Sequence, residues 1–363
     1  MKLALKELRY NKKKYILIEV IILLLMFMVL FLSGLVNGLG RAVTSSIELM
    51  NGTYFVISDS AEDIITVSNI NAEVYEQVAN ELAGEVTTLD IQRMYLQKVG
   101  EEEKINVTYF AIEPGSFIEP ELMEGISLAE ADVENPIILD DDYMLEGIEL
   151  SDTVIDSSTS IEFTVVGFSK NQMYGHTSVA FISTDSYTSI RENLNPHYEV
   201  SYHALVTNDE GIHDLDLEGV VIDDKQTVIE NIPSYSAEHT TITMVVWLLV
   251  IISSVIIGVF YYIMTIQKEK QFAVMKSIGI SMRQISIMIV CQVCFVACIG
   301  ALLANILNTS MSFALPQTMP YYLEFTDALG VSAAFIVISV FSSLLSIIKV
   351  SKVDPMMVIG GEQ

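Results

Sequence analysis

Lys12-Lys-Lys-Tyr-Ile-Leu-Ile-Glu-Val-Ile-Ile-Leu-Leu-Leu-Met-Phe-Met-Val-Leu-Phe-Leu-Ser-Gly-Leu35 decides the fold of this 363-residue chain. A spanning helix needs about 20 mostly apolar residues, because the hydrocarbon core of a bilayer is about 30 Å thick. Tyr15 to Leu35 meets that requirement. Its apolar core is longer than the roughly 7–15 residues of a secretory signal, and no clear A-x-A cleavage site follows, so it reads as an uncleaved anchor. Three further stretches qualify: Thr243 to Ile266, Ile285 to Leu307 and Ala328 to Ile347. The layout is one helix, a long polar segment, then three helices.

Charge gives this layout a direction. Lys2, Lys6, Arg9 and Lys12 to Lys14 precede the first helix. Lys268, Lys270, Lys276 and Arg283 follow the second, and Lys349 and Lys352 follow the fourth. These 12 of the 19 basic residues fall on one side, and flanking Lys/Arg marks the cytoplasm. Residues 41 to 238 hold seven basic and 39 acidic residues, a formal charge of −32. Both termini are therefore expected inside and the large segment outside. Its acidity fits solubility near an anionic surface, and nothing in the chain points to nucleic acid.

The expected organisation is a cytoplasmic N-terminus over 1–14, a first membrane helix over 15–40 and an extracellular α+β domain with stalks over 41–240. A second helix over 241–266, a cytoplasmic coupling helix and loop over 267–283 and a third helix over 284–307 follow. An outer loop over 308–326, a fourth helix over 327–348 and a cytoplasmic tail over 349–363 complete it. Within the outer domain, Tyr54 to Ser58, Ile105 to Ile112, Ile161 to Phe168, Ser178 to Ser183 and Tyr198 to Val206 read as strands. Asn71 to Leu82 and Ser186 to Asn193 read as short helices. No internal repeat is visible. Asp140-Asp141-Asp142 reads as a solvated turn, since a calcium loop needs spaced ligands and a Gly. His176, His197, His203 and His213 lack metal-ligand spacing and read as surface or core residues. No Ser/His/Asp or phosphate-loop signature appears, so no catalytic residue and no intrinsic metal or cofactor is expected. Cys291, Cys294 and Cys298, the chain's three cysteines, share a helical face and read as small buried packing residues.

The loop Gln271-Phe-Ala-Val-Met-Lys-Ser-Ile-Gly279 places Phe272, Val274, Met275 and Ile278 in an apolar stripe on a short helix. Such a helix suits a membrane surface or a groove on a partner. The stretch resembles the E-x-G-[IV]-[LM]-[KR]-[AS]-[IL]-G signature of FtsX/MacB-type ABC transporter permeases, with Gln271 and Ala273 in place of Glu and Gly. The tail Lys352-Val-Asp-Pro-Met-Met-Val-Ile359, with Asp354 and Pro355, resembles the family's closing D-P-x-x-x-[IL] motif. The resemblance implies an integral membrane α-helical protein of the MacB-like, type VII exporter architecture. It implies a second copy of the chain, a cytoplasmic ABC ATPase dimer that binds ATP, and mechanical coupling through Gln271, Phe272, Val274, Met275, Lys276, Ile278 and Gly279. No Walker motif lies in the chain, so ATP hydrolysis is expected in a separate subunit and the permease is not itself an enzyme.

Six segments are similar to a narrower group, the haem-efflux permeases of Gram-positive bacteria (HrtB-like). They are Met1-Lys-Leu-Ala-Leu-Lys-Glu7, Gly34-Leu-Val-Asn-Gly-Leu-Gly-Arg41, Met173-Tyr-Gly-His-Thr-Ser-Val179, Pro233-Ser-Tyr-Ser-Ala-Glu238, Tyr262-Ile-Met-Thr-Ile-Gln267 and Thr318-Met-Pro-Tyr-Tyr-Leu323. The resemblance implies haem as cargo. Haem is a flat apolar macrocycle with a charged edge and an iron that accepts His, Met or Tyr, and it partitions into membrane lipid. Met28 lies roughly 20 Å along the first helix, at outer-leaflet depth. Tyr235, Glu238 and His239 stand at the start of the second. These four residues form the expected substrate site. Straight helices would separate Met28 and Glu238 by roughly 15–20 Å in height, so sharing one iron needs another register. Glu238 also suits a helix N-terminus, and Met26 and Met28 also suit packing. Glu19 is expected to reach water or a Lys at the inner face. Gly34 and Gly38 form a small face for a close helix approach, or else mark a bend or cap. Two other readings stay open: export of an antimicrobial peptide, lipopeptide or peptide signal, and FtsX-like signalling that transports nothing.

Overall fold

A computed structural model describes residues 12–101, 103–233, 235–316 and 319–351. In chain order its elements are α1 (Lys12–Leu49), β1 (Tyr54–Ser58), β2 (Ile70–Asn71), α2 (Ala72–Glu81), β3 (Val86–Lys98), β4 (Lys104–Ile112) and β5 (Leu122–Gly125). Next come β6 (Pro136–Asp140), β7 (Thr153–Asp156), β8 (Glu162–Ser169), β9 (Met173–Tyr174), β10 (Thr177–Ser183) and α3 (Thr184–Leu194). The chain continues with β11 (Ser201–Tyr202), β12 (Ala204–Thr207), β13 (Val220–Asp224) and α4 (Lys225–Glu230). It ends with α5 (Tyr235–Gln267), α6 (Glu269–Ser277), α7 (Met282–Ser312) and α8 (Phe325–Ser351). The chain divides into two units, residues 1–39 with 240–363 and residues 40–239.

In the first unit, α1, α5, α7 and α8 are each long and apolar enough to cross a membrane. Along α1, Tyr15, Ile18, Ile22, Met26 and Val29 are buried, a spacing of three and four that makes one helical face. Ile16, Leu17, Val20, Leu24 and Met28 are exposed, which is the face lipid would cover. Gly300 of α7 lets α1 come close, because a β-carbon there would meet Ile22 Cγ2 at 2.8 Å. Glu19 lies beside this contact, with Oε1 buried and without a hydrogen-bond partner among the described residues. The cysteines also differ from expectation: Cys291 and Cys294 are half-buried and Cys298 is exposed.

Polar contacts fasten both ends of this unit. Lys268, one of the basic residues that follow the second membrane helix, is buried, with its Nζ donating to Tyr15 Oη and standing 4.9 Å from the Tyr15 ring centroid. Tyr15 in turn donates to Gln292 Oε1 at 3.2 Å. A buried ammonium is tolerated where such partners replace its water. At the other end, Tyr322 N–H donates to the Gly34 carbonyl at 2.9 Å, and Tyr321 stacks on Phe31 with ring centroids 5.5 Å apart. A β-carbon on Gly34 would meet the Tyr321 ring at 2.5 Å, and one on Gly38 would meet the Pro320 carbonyl oxygen at 2.3 Å. The small face, read from the sequence as a helix contact or else a bend or cap, receives the segment between α7 and α8.

The second unit holds an eleven-stranded mixed sheet, with the order β13-β1-β12-β3-β4-β10-β6-β8-β5. β7 pairs with β3 and β8, and β9 with β10, while β2 and β11 form a separate pair. β10 runs parallel to β4, and β6 parallel to β8. Side chains alternate between the two faces of a strand, and here both faces are buried. Phe110, Ile112, Ile138, Val179 and Phe181 enter one core with Val43 and Ile47 of α1. Tyr109, Ala111, Ile137, Leu139, Ala180 and Ile182 enter another. α1 therefore runs past its lipid-like stretch to Leu49, because Val43 and Ile47 find an apolar partner in the sheet. The short helices are capped by their own sequence: Asn71 accepts from Val74 N–H before α2, and Ser183 from Ser186 N–H before α3.

The three aspartates are not a solvated turn throughout. Asp140 ends β6 buried, accepting from the backbone N–H of Gln172 and of Asp142, and it caps a short 3-10 turn over Asp141–Met144. Burial pushes its pKa up to about 7 from 3.8.

Two predictions follow from the packing. Gly38→Ala costs about 1–3 kcal/mol, and more than Gly34→Ala, because a backbone carbonyl cannot swing away as a ring can. Thermal unfolding of the detergent-solubilised chain measures both, and equal melting of Gly38→Ala and wild type contradicts the close approach. The folded chain keeps the Asp140 proton up to about pH 7, whereas the unfolded chain loses it near 3.8. Folding is therefore favoured at low pH, and this contribution is lost as pH rises between those values. Between pH 5.5 and 7 the loss is about 2 kcal/mol. Hydrogen exchange of Ile137 to Leu139, corrected for intrinsic rates, should show protection falling over that range, with the slope flattened in Asp140→Asn.

Candidate functional site

The chemistry-bearing cluster lies in the outer unit, at the first turns of α5. Tyr235, Glu238 and His239 are spaced by three and four, which puts them on neighbouring positions of one helical surface. The Tyr235 ring stacks on His239, with centroids 5.4 Å apart and planes at 27°. Tyr235 also borders Gly40, whose missing β-carbon would stand 3.7 Å from Tyr235 Cε2. Glu238 occupies the first turn, where the helix dipole favours an acid.

Glu238 Oε2 lies 3.0 Å from Nε2 of His176, and both side chains are a little under half exposed. His176 was read from the sequence only as a surface or core histidine. It occupies the two-residue turn Gly175-His176 between β9 and β10. Gly175 has φ +56° and His176 φ +62°, the left-handed pair that a tight hairpin of this kind requires. The turn is tied to α1: Gly175 N–H donates to the Val43 carbonyl at 3.1 Å, and His176 N–H to the Ala42 carbonyl at 2.9 Å. Met173 N–H donates to Ser45 Oγ at 3.1 Å. A Gly-His pair between two apolar runs was the available hairpin signal in the sequence. Its contact with Glu238 had no local signal, because 62 residues separate the two.

Other histidines have structural partners. His203 Nδ1 accepts from Ile91 N–H at 3.1 Å, and His213 sits edge-on to Tyr54. Met28 belongs to the membrane unit, where it is 52% exposed, whereas Met26 two residues earlier is 1% exposed and packed among helices. Only Met28 of the two is thus available to a ligand in the bilayer. A cavity of about 720 Å³ lies between α7 and α8, with Cys298, Asn305, Asn308 and Tyr321 in its wall. Among the described residues, no carboxylate, imidazole or cation lines it, and none of the expected substrate residues reaches it.

The α6 elbow differs from the expected stripe. Phe272 and Ala273 are buried and Met275 packs against the membrane-unit core, but Val274 (51% exposed) and Ile278 (71%) face outward with Gln271. The buried Ala273 explains why a small residue is needed at that position. Lys276 is half-buried. Gly279, at φ +92°, ends the helix, with Ile280 N–H returning to the Met275 carbonyl at 3.0 Å. Ser281 and Gln284 then form a capping box that starts α7. Asp354 and Pro355 of the tail, and Met1 to Glu7, lie outside the described residues.

Residues 243–355 match the family model of the FtsX-like permease C-terminal domain. The matched stretch holds most of α5 and all of α6 to α8, so this part of the chain is similar to the C-terminal domain of FtsX-like permeases. Over its full length the chain is 26% identical to a protein of Staphylococcus haemolyticus named, provisionally, as the hemin transport system permease HrtB, with 99% of each chain covered. It is 28% identical to a protein of Staphylococcus epidermidis with the same provisional name, with 100% of each covered. Among solved structures, the periplasmic region of MacB from Actinobacillus actinomycetemcomitans aligns with TM-score 0.38 and 13% identity, covering 50% of this chain and 94% of that one.

Proposed function

We propose that the chain is the permease subunit of an ATP-driven exporter that takes haem, or a similar flat amphiphile, from the membrane and expels it. Full-length similarity to relatives named for hemin transport carries the choice of cargo. The side chains supply suitable chemistry: Met28 on the lipid-facing side of α1 offers a soft axial ligand, and Tyr235 with His239 offers an aromatic surface. Glu238 offers a carboxylate to the iron or to a donor on the macrocycle edge. Each of these four residues is proposed to touch cargo.

The basic flanks support cytoplasmic termini and an extracellular acidic domain. Two copies of the chain would then carry a cytoplasmic ATPase dimer, which binds and hydrolyses ATP. Val274 and Ile278 are the apolar side chains that α6 presents to it, together with Gln271. Nucleotide-driven closure of the ATPases would move α6, and through it α5 and α7, whose ends it joins. The Asp354-Pro355 motif is proposed to belong to the same cytoplasmic contact.

The permease with its ATPase, in nanodiscs, should bind hemin with a shifted Soret band. Glu238→Ala or Met28→Ala should weaken binding about tenfold, the loss of roughly 1.4 kcal/mol. Absence of both a Soret shift and hemin-stimulated ATP turnover overturns haem as cargo. Stimulation by a cationic peptide instead would assign a peptide cargo, which the −32 charge of residues 41–238 would suit.

The coupling role is tested separately. Ile278→Asp should reduce co-purification of the ATPase while leaving the melting temperature within about 2 °C, since an exposed position contributes little to folding. Ala273→Leu should lower the melting temperature by overpacking. Unchanged ATPase retention in both Ile278→Asp and Val274→Asp removes α6 as the docking element.

A further inference from the structure

We propose that His176 is the positioning residue for Glu238 and thereby favours a metal-centred macrocycle over its metal-free counterpart. This rests on the cargo reading above.

His176 is a non-glycine residue at φ +62°, held there by its own N–H bond to the Ala42 carbonyl and by the Gly175 bond to Val43. Such conformations persist only where the surroundings fix them. The base of the imidazole is therefore fixed to α1, while its tip reaches the α5 carboxylate at 3.0 Å. An ionised carboxylate only accepts hydrogen bonds, so Nε2 carries the proton in this contact.

A half-exposed Glu otherwise samples several rotamers and loses that freedom when it binds. The Nε2–H bond to Oε2 reduces the loss in advance and leaves the other carboxylate oxygen to meet cargo. Partner groups that orient a metal-binding side chain in this way commonly tune metal affinity. Iron accepts an anionic oxygen directly. A porphyrin without metal offers no such acceptor at its centre and gains little from an oriented carboxylate. The tyrosine–histidine stack serves both macrocycles alike, so it cannot supply this discrimination.

The test uses the permease with its ATPase in nanodiscs, with hemin and iron-free protoporphyrin as probes. His176→Ala should weaken hemin binding roughly two- to fivefold, the scale of an exposed ion pair, and shift the Soret maximum. Protoporphyrin affinity should stay within about twofold. His176→Gln carries the same backbone strain as the alanine variant but keeps an N–H donor at similar reach, so it should recover most hemin affinity. Wild-type hemin binding by His176→Ala overturns the proposal, as does an equal loss for both porphyrins. Failure of His176→Gln to recover affinity, with both variants melting lower than wild type, assigns His176 a structural role and also overturns it. Glu238→Ala separates the two levels. If it leaves hemin binding intact, the role of Glu238 in the cargo reading falls, and this inference with it. If it weakens hemin while His176→Ala does not, only the role of His176 falls.

Discussion

Burial of both faces of one sheet is the constraint on which the outer unit depends. The central strands carry no solvated face: neighbouring residues such as Phe110 and Ala111, or Phe181 and Ile182, enter different cores. The segment between residues 41 and 238 contains no cysteine, so these cores hold it without disulfides. Val43 and Ile47 complete one of them, and this fixes the last turns of α1 against the sheet. The Gly175-His176 turn then has two helix carbonyls, those of Ala42 and Val43, on which to rest. Placement of the imidazole beside Glu238 follows from that seating.

Much of this was legible in the sequence for one reason: apolar runs report an environment, and the environments here are distinct. Lipid-length runs marked four spans. Short runs of β-branched and aromatic residues marked β1, β4, β8 and β10, and the cap residues Asn71 and Ser183 flank the two helices expected. β3, the longest strand, escaped notice because Thr87, Thr88 and Asp90 interrupt its apolar positions although all three are buried. The extension of α1 to Leu49 escaped for the opposite reason: its partner is a sheet, not lipid, so the run no longer needs to be continuously apolar.

The misread residues are those whose role depends on a distant partner. Lys268 looks like a cytoplasmic charge by position, yet Tyr15 and Gln292, far away in sequence, give it hydrogen bonds inside the helix bundle. Gly34 and Gly38 suggest a helix contact by spacing, yet Pro320 and Tyr321 occupy the space. Asp140 looks solvated because two acids follow it, yet two backbone N–H groups stand in for water. In each case composition gave the local cost of a group correctly. It could not say which partner offsets that cost.

The α6 elbow shows how the same limits bear on function. An amphipathic stripe has two possible customers, the rest of its own chain and something outside it, and spacing cannot divide the stripe between them. Burial does divide it: Phe272, Ala273 and Met275 hold the elbow to the membrane unit, and Val274 and Ile278 remain on the surface. Its C-terminal end is also fixed, by the left-handed Gly279, and the Ser281–Gln284 capping box starts α7 directly after it. A helix held on one face and closed at its end resists bending, so under the proposed docking a push on its outer face would be passed to α5 and α7 rather than absorbed in the loop. A long flexible linker with the same exposed residues could bind a partner equally well but could not transmit its motion.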